Sequence, residues 1–262
     1  MSLNAYTQLA VRAARQAGKI LNEHYGQLTH VSKKGKIDLV TAADIASEKT
    51  ILSIIRQAHP DHTIISEESG TETGDNRQQW IIDPLDGTTN YVHNLPVFAV
   101  SIAHATNLNI DAGVVYNPIS GDIFCAQSGG GATLNGKSIH VSNTREIENS
   151  LLVTGFPYNL HKCYKELIKR FKDCLTASQG IRRLGSAALD LCYVACGRFD
   201  GFWEEGLNPW DTAAGWLIVK EAGGLITDFD GQAYQISRPE ILATNGKIHA
   251  QMIDLLNQKE SQ

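Results

Sequence analysis

The segment Trp80-Ile81-Ile82-Asp83-Pro84-Leu85-Asp86-Gly87-Thr88-Thr89-Asn90 carries the densest chemistry in this chain. An apolar strand runs into two carboxylates, Asp83 and Asp86. Pro84 fixes one backbone angle and holds Asp83 extended. Gly87 permits a sharp turn and lets a ligand approach the backbone closely. The amides of Gly87, Thr88 and Thr89 can open a helix, and a helix N-terminus is a ready phosphate site. Two carboxylates beside a phosphate would repel it unless cations stand between them. Aspartate oxygens are hard ligands that suit Mg²⁺. Taken alone, the segment reads either as a turn with two solvated acids or as a metal-assisted phosphate site.

Other acids bear on that choice. Ile64-Ile65-Ser66-Glu67-Glu68-Ser69 places Glu67 and Glu68 at the end of a buried strand, as an exposed acidic loop or as ligands. Thr41-Ala42-Ala43-Asp44 and Asn208-Pro209-Trp210-Asp211 each open a helix. An aspartate there reads as an N-cap or as a site residue.

The elements that must position these residues follow from pattern. Leu9, Ala13, Ala17, Ile20 and Leu21 share one face of a first helix, capped by Asn4 and stopped by Gly26. A second helix begins after Thr41, with Ile45, Leu52 and Ile55 as its apolar stripe and Pro60 beyond its end. Lys33-Lys34-Gly35-Lys36 reads as a polar turn between them. Short β-type runs follow at 63–65, 80–82, 98–102, 113–116 and 122–125, the last two joined by a hairpin-like connection at 117–121. Gly129-Gly130-Gly131 lacks the Lys-Ser/Thr of a phosphate loop and reads as a glycine turn. From about residue 150, strands and helices alternate. Strands are expected at 151–153, 199–203, 225–227 and 241–244. Helices are expected at 161–176, 186–197 and 211–222, and at the end of the chain. The division is therefore an N-terminal α+β half, 1–145, carrying most of the candidate ligands, and a C-terminal α/β half, 146–262, carrying Asp211. No linker marks the boundary, so the halves are expected to share an interface.

Bulk properties exclude some classes. A chain of 262 residues can bury a large core without staples. The net charge of −5 argues against a surface built for nucleic acid. The five cysteines, Cys125, Cys163, Cys174, Cys192 and Cys196, form no Cys-x-x-Cys pair. They read as free thiols in a reducing cytosol rather than as a disulfide framework or a zinc site. No targeting segment and no membrane span is expected, and the chain is placed in the cytoplasm.

The ordered set Asp38-Leu39-Val40-Thr41-Ala42-Ala43-Asp44, Glu67-Glu68-Ser69, Trp80 to Asn90, Gly185-Ser186-Ala187-Ala188, Pro209-Trp210-Asp211 and Glu221-Ala222-Gly223-Gly224 resembles the inositol monophosphatase family. The resemblance runs from about residue 5 to 257. The run Arg182 to Leu191 is similar to that of the family's bacterial inositol-1-monophosphatases.

The resemblance implies a layered α/β sandwich and a Mg²⁺-dependent phosphatase. Glu67, Asp83 and the carbonyl of Leu85 would hold one ion, and Asp83, Asp86 and Asp211 a second. Glu67 with waters would hold a weaker third. Asp44 and Thr88 would orient or deprotonate the attacking water, and Glu67 joins them as a catalytic residue. The amides of Gly87 and Thr88 would receive phosphate oxygens. Glu204 would bind a polyol hydroxyl, and Ser186 and Ala187 would line the sugar side. Lithium inhibition and a homodimer are further implications. The short stretch 70–79 is expected near the metals, as a loop.

Two alternatives stay open. Within the same chemistry, the substrate could be fructose 1,6-bisphosphate, 3′-phosphoadenosine 5′-phosphate, histidinol phosphate or NADP instead of an inositol phosphate. Glu204 favours a polyol, because a carboxylate there would repel a second phosphate. In a different class, the chain could be a regulatory protein associated with RNA or transcription that retains the phosphatase fold.

Overall fold

A computed structural model describes residues 3–27, 31–33, 39–157 and 164–258. The readings at Lys34-Gly35-Lys36, Asp38, Cys163 and positions 161–163 lie outside the described residues. The first part of the chain runs α1 (Ala5–His24), β1 (Val31–Lys33), β2 (Leu39–Thr41), α2 (Ala42–Ala58), β3 (His62–Ser66), β4 (Gly70–Glu72), β5 (Asp75–Asp86), α3 (Thr88–Val92), β6 (Ala99–Thr106), β7 (Asn109–Asn117), β8 (Asp122–Gln127), β9 (Gly131–Leu134) and β10 (Lys137–Ser138). The remainder runs β11 (Leu151–Thr154), α4 (Tyr164–Ala177), β12 (Gly180–Arg182), α5 (Ala187–Ala195), β13 (Gly201–Glu205), α6 (Pro209–Glu221), β14 (Leu225–Thr227), β15 (Glu240–Thr244) and α7 (His249–Leu256).

One sheet has eight strands in the order β10-β9-β8-β7-β6-β5-β3-β4, and another has five, β12-β11-β13-β15-β14. Alternation along the strands sorts side chains into layers. On β5, Trp80 and Ile82 join the apolar layer of α1 and α2 with Ala13, Leu21, Ile51 and Ile55. Ile81, between them, faces the other way and joins α5 and α6 through Leu189, Ala213 and Leu217. On β15, Ile241 and Ala243 enter that same middle layer, whereas Leu242 packs outward with Cys174 of α4 and Met252 of α7. The order is helix pair, sheet, helix pair, sheet, helix pair, which is the layered α/β sandwich expected. The middle layer contains side chains of both sheets, so both parts of the chain contribute to one core.

Local chemistry sets the elements around the site. Asn4 caps α1 through its Oδ1, which accepts from the Thr7 amide at 2.8 Å. Thr41 caps α2, and its Oγ1 accepts from the Ala43 amide at 3.1 Å. The stretch 70–79, expected as a loop, is instead β4 and the start of β5. The polar residues of β4 are tolerated because it is the edge strand of its sheet. The Gly129-Gly130-Gly131 turn offers amides to an anion, and the chain supplies its own: Gly129 N and Gly131 N each donate to Glu221 at 2.8 Å.

Cys125, Cys174 and Cys192 are buried free thiols. Burial pushes Cys125 and Cys174 up to about 12, so they are inert. Among the described residues no helix is long and apolar enough to cross a membrane.

Candidate active site

Strands β3 and β5 run parallel, with Ser66 opposite Ile82. The next residues along are Glu67 and Asp83, and the Glu67 amide donates to the Ile82 carbonyl at 3.2 Å. The register of a parallel pair thus brings together acids that are distant in sequence. Beyond Asp83 the pairing with β6 slips: Asp83 faces Ser101, but Asp86 faces Ala99. Pro84 and Leu85 form a bulge, and bulges re-aim side chains. Asp83 Oδ1 accepts from the Leu85 amide at 2.9 Å. Asp86 Oδ2 accepts from Ser186 Oγ at 2.6 Å and from the Ala188 amide at 2.8 Å, across the junction with α5.

Gly87 follows with φ of +95° and caps α3. A Cβ there would lie 3.0 Å from the Val97 carbonyl and 3.2 Å from that of Gly185. Both the conformation and the packing require glycine. The Thr88 hydroxyl lies 3.0 Å from the Leu85 carbonyl oxygen and 3.2 Å from Asp44 Oδ1. It has one proton for two acceptors. Asn90 closes the junction, its Nδ2 donating to the Val97 and Leu184 carbonyls at 2.7 and 2.8 Å.

Asp44 and Asp211 hold equivalent places. Each is the third residue of its helix and accepts from the amide of the cap residue: Thr41 N to Asp44 Oδ2 at 2.8 Å, Asn208 N to Asp211 Oδ2 at 2.7 Å. The N-cap reading of both aspartates is thereby corrected. Thr41 and Asn208 are the caps, and the aspartates are the acids of capping boxes. Asp44 is fully buried behind Thr88. Asp211 is held near Asp83 by Ser101, the residue of β6 opposite Asp83, whose Oγ donates to the Trp210 carbonyl at 3.3 Å.

These elements enclose a cleft of about 320 Å³. Of the expected residues, it is lined by Glu67, Asp83, Leu85, Asp86, Gly87, Thr88, Ser186, Ala187, Glu204 and Asp211. Asp44 does not line it and lies behind Thr88, its Oδ1 3.2 Å from the Thr88 hydroxyl. The Ser186 hydroxyl is committed to Asp86 and to capping α5.

Sequence reasoning missed Gly155, Phe156, Pro157, Arg183 and Leu207, which also line the cleft. Gly155 follows β11, and the end of a strand is a common place for ligand contacts in α/β sheets. A Cβ on Gly155 would run into the Glu204 carboxyl group. Asp190, buried on α5 with Oδ1 lacking a partner, was also missed. The Asp-x-Asp spacing that a phosphoenzyme would want occurs at Asp228 and Asp230, outside the cleft lining. There Asp228 Oδ1 accepts from the amides of Asp230 and Gln232 in a turn.

The acids are packed so that ionisation is unfavourable. Burial, then Glu67, Asp86 and Asp211, hold Asp83 well above the usual carboxylate range. Burial and then Asp86 do the same to Asp211. Asp86 is raised to about 6 by burial, against the donors Ser186 and Ala188. Glu204 is raised to about 8 by burial and the Asp211 charge, with Arg183 opposing. Burial also raises Asp44, against its bonds from Thr41 and Thr88. Among the described residues, no three acidic, histidine or cysteine side chains converge closely enough to grip an ion as they stand. The donor set still fits a hard divalent cation. It is all oxygen, it is shared by one cleft, and its mutual repulsion is what such a cation relieves.

A model of the inositol monophosphatase family matches residues 2–261. The chain is 46% identical over 257 residues to the inositol-1-monophosphatase of Synechocystis sp., covering 97% of this chain and 89% of that protein. It is 44% identical over 255 residues to the Nus factor SuhB of Haemophilus influenzae, covering 96% of each. Among solved structures, the extragenic suppressor protein suhB from Bartonella henselae superposes with a TM-score of 0.94 at 41% identity, covering 97% of this chain and 99% of that one. The inositol monophosphatase from Anabaena superposes with a TM-score of 0.88 at 44% identity, covering 96% and 94%.

Proposed function

Because the chain belongs to the inositol monophosphatase family, we propose that it is a Mg²⁺-dependent phosphate monoester hydrolase acting on an inositol monophosphate. The observation that carries this reading is the convergence of Glu67, Asp83, Asp86 and Asp211 with the Leu85 carbonyl and the Gly87–Thr88 turn on one cleft. The parts 1–145 and 146–262 are read as its two sides.

Glu67, Asp83 and the Leu85 carbonyl would hold one Mg²⁺, and Asp83, Asp86 and Asp211 a second. Glu67 with waters would hold a third. When bound, the ions neutralise the phosphate, lower the pKa of water and stabilise the leaving alkoxide. The amides of Gly87 and Thr88 receive phosphate oxygens. Thr88, backed by Asp44, orients the attacking water and takes part in moving its proton. Water adds to phosphorus as the ester P–O bond breaks, with inversion. Glu204 accepts from a polyol hydroxyl, and Ser186 and Ala187 pack beside the ring. Lithium inhibits by displacing one Mg²⁺, and the enzyme works in the cytoplasm as a homodimer.

The test is phosphate release from a panel of monoesters, with and without Mg²⁺ and with added Li⁺. Mg²⁺-dependent release from inositol 1-phosphate well above fructose 1,6-bisphosphate and 3′-phosphoadenosine 5′-phosphate is expected. Preference for another ester would move the substrate and keep the mechanism. No Mg²⁺-dependent release from any ester would sink the enzymatic reading. A second reading rests on the relatives named Nus factor SuhB: a role in binding transcription machinery. A stable macromolecular partner captured from lysate, with no phosphatase activity, would favour it.

A further inference from the structure

Helix α2 and its cap residue carry a buried polar stripe. Thr41, Asp44, Ser47 and Glu48 are exposed by only 2%, 0%, 0% and 6%. A helix face packed against a sheet is normally apolar, so each of these groups needs a partner. The last three find theirs on three separate segments of the cleft. Asp44 Oδ1 faces Thr88 Oγ1. Ser47 Oγ donates to the Pro84 carbonyl at 2.8 Å, inside the bulge between Asp83 and Asp86. Glu48 Oε1 accepts from Ser66 Oγ at 2.5 Å, from the Ser69 amide at 3.0 Å and from Ser69 Oγ at 3.2 Å. Glu48 therefore grips both ends of the Ser66-Glu67-Glu68-Ser69 turn.

We propose that Glu48 is a positioning residue for Glu67, and that with Ser47 it sets the spacing of Glu67 and Asp83 for divalent cation binding. The inference rests on reading Glu67 and Asp83 as cation ligands. Bonds to a carboxylate are stronger than neutral ones, and here three donors share one oxygen. The turn is thereby fixed to the helix that also fixes the Asp83 strand through Ser47. Both ligands are referred to one rigid element, through two consecutive residues of α2. Supporting partners of this kind typically alter metal affinity by about 10- to 100-fold when removed.

The experiment compares the full-length chain with Glu48→Ala and Glu48→Gln. The first readout is thermal stabilisation by Mg²⁺ alone, without substrate. The second is the Mg²⁺ dependence of phosphate release. For Glu48→Ala, the Mg²⁺ midpoint should rise about tenfold or more in both readouts, with kcat at saturating Mg²⁺ within about threefold. Glu48→Gln keeps an acceptor oxygen and should recover most of the loss. Ser66→Ala removes only the shortest of the three bonds and should shift the midpoint severalfold, which keeps the test usable if Glu48→Ala does not fold. A lowered metal-free Tm with an unshifted Mg²⁺ midpoint in the variant that folds would make Glu48 a brace of the hairpin and nothing more. No Mg²⁺ response in the unsubstituted chain would instead overturn the cation reading beneath the inference. A normal response there with unshifted variants overturns the inference alone.

Discussion

The two walls of the cleft are built by different rules. The N-terminal wall is a set of strand ends and one turn, Glu67 after β3, Asp83 to Asp86 at the end of β5 and Gly87-Thr88 at the start of α3, all referred to the buried polar face of α2. Its members are near neighbours in sequence or in sheet register. The C-terminal wall collects Gly155, Arg183, Ser186, Glu204 and Asp211 from the ends of separate elements. Few of these residues touch one another through bonds. Their positions come from how α5, α6 and the five-stranded sheet pack. A rigid, locally encoded wall suits charge-bearing chemistry, whose geometry must hold within a few tenths of an ångström. Apart from Asp211, read as a cation ligand, residues gathered from the ends of separate elements suit recognition, which can change while the chemistry stays.

The largest expected effect tests this difference directly. Asp83→Asn removes the carboxylate read as shared by two ions. Turnover at saturating Mg²⁺ should fall at least ~10²-fold, several kcal/mol of lost electrostatic stabilisation. Glu204→Gln should mainly raise KM for the polyol phosphate. Steady-state kinetics on both variants decide the matter. If Glu204→Gln costs more turnover than Asp83→Asn, the walls do not divide chemistry from recognition, and the roles assigned to them are wrong.

The same division explains what was legible in the sequence. Asp83, Asp86, Gly87 and Thr88 could be read because they are nearly consecutive, with Pro84 and Gly87 reporting the backbone they need. That Glu67 stands beside Asp83 could not be read from spacing, because the register of a parallel pair is set by tertiary packing. Asp44 and Asp211 left cap and site open as rivals, and the fold makes them capping-box acids beside the cleft. Ser186 was placed on the sugar side without its bond to Asp86, since that contact crosses 100 residues of chain. Gly155 carries no local signal, because what marks it is the absence of a side chain beside Glu204. Among the elements, β9 (Gly131-Ala132-Thr133-Leu134), β10 (Lys137-Ser138) and β12 (Gly180-Ile181-Arg182) escaped because they are short and lack an apolar run, whereas the equally short β14 could be read from Leu225-Ile226. Strands of that kind are defined by their neighbours in the sheet.

A second prediction concerns what holds the C-terminal wall in place. His249 begins α7 and bridges β14 and β15, its Nε2 and Nδ1 each 2.9 Å from a hydroxyl, Thr227 Oγ1 and Thr244 Oγ1. Thr227 spends its proton on the Asp228 carbonyl at 2.6 Å, so Nε2 must donate and Nδ1 must accept from Thr244. A protonated ring has no acceptor nitrogen, and burial drives the histidine down to about 4. The folded value is below the unfolded one of about 6.5. The neutral ring therefore supports the fold above pH 6.5, and that support is lost as pH falls toward 4. Between pH 7 and 5 the loss should be at most about 2 kcal/mol. Burial also lowers His59 and His62 in the N-terminal half, so the unsubstituted chain alone cannot assign the effect. Urea unfolding of His249→Asn at both pH values should show lower stability at pH 7 and a smaller drop to pH 5. Equal drops in the two proteins would remove His249 as the cause.

The smallest expected effect is the most specific to the C-terminal wall. A methyl group on Gly155 would collide with the Glu204 carboxyl group. The obstacle is the far end of a side chain, so the fold should survive and Glu204 should move. If Glu204 contacts a substrate hydroxyl, Gly155→Ala displaces one hydrogen bond. KM for inositol 1-phosphate should then rise about tenfold, in line with about 1.4 kcal/mol. Turnover should stay within about threefold and the Mg²⁺ midpoint should not move, because neither Asp83 nor the α2 face is touched. A fall in kcat at constant KM would put Glu204 on the reacting side of the cleft. No change in either constant would mean that Glu204 does not touch the substrate, and the carboxylate would no longer explain a preference for a polyol over a second phosphate.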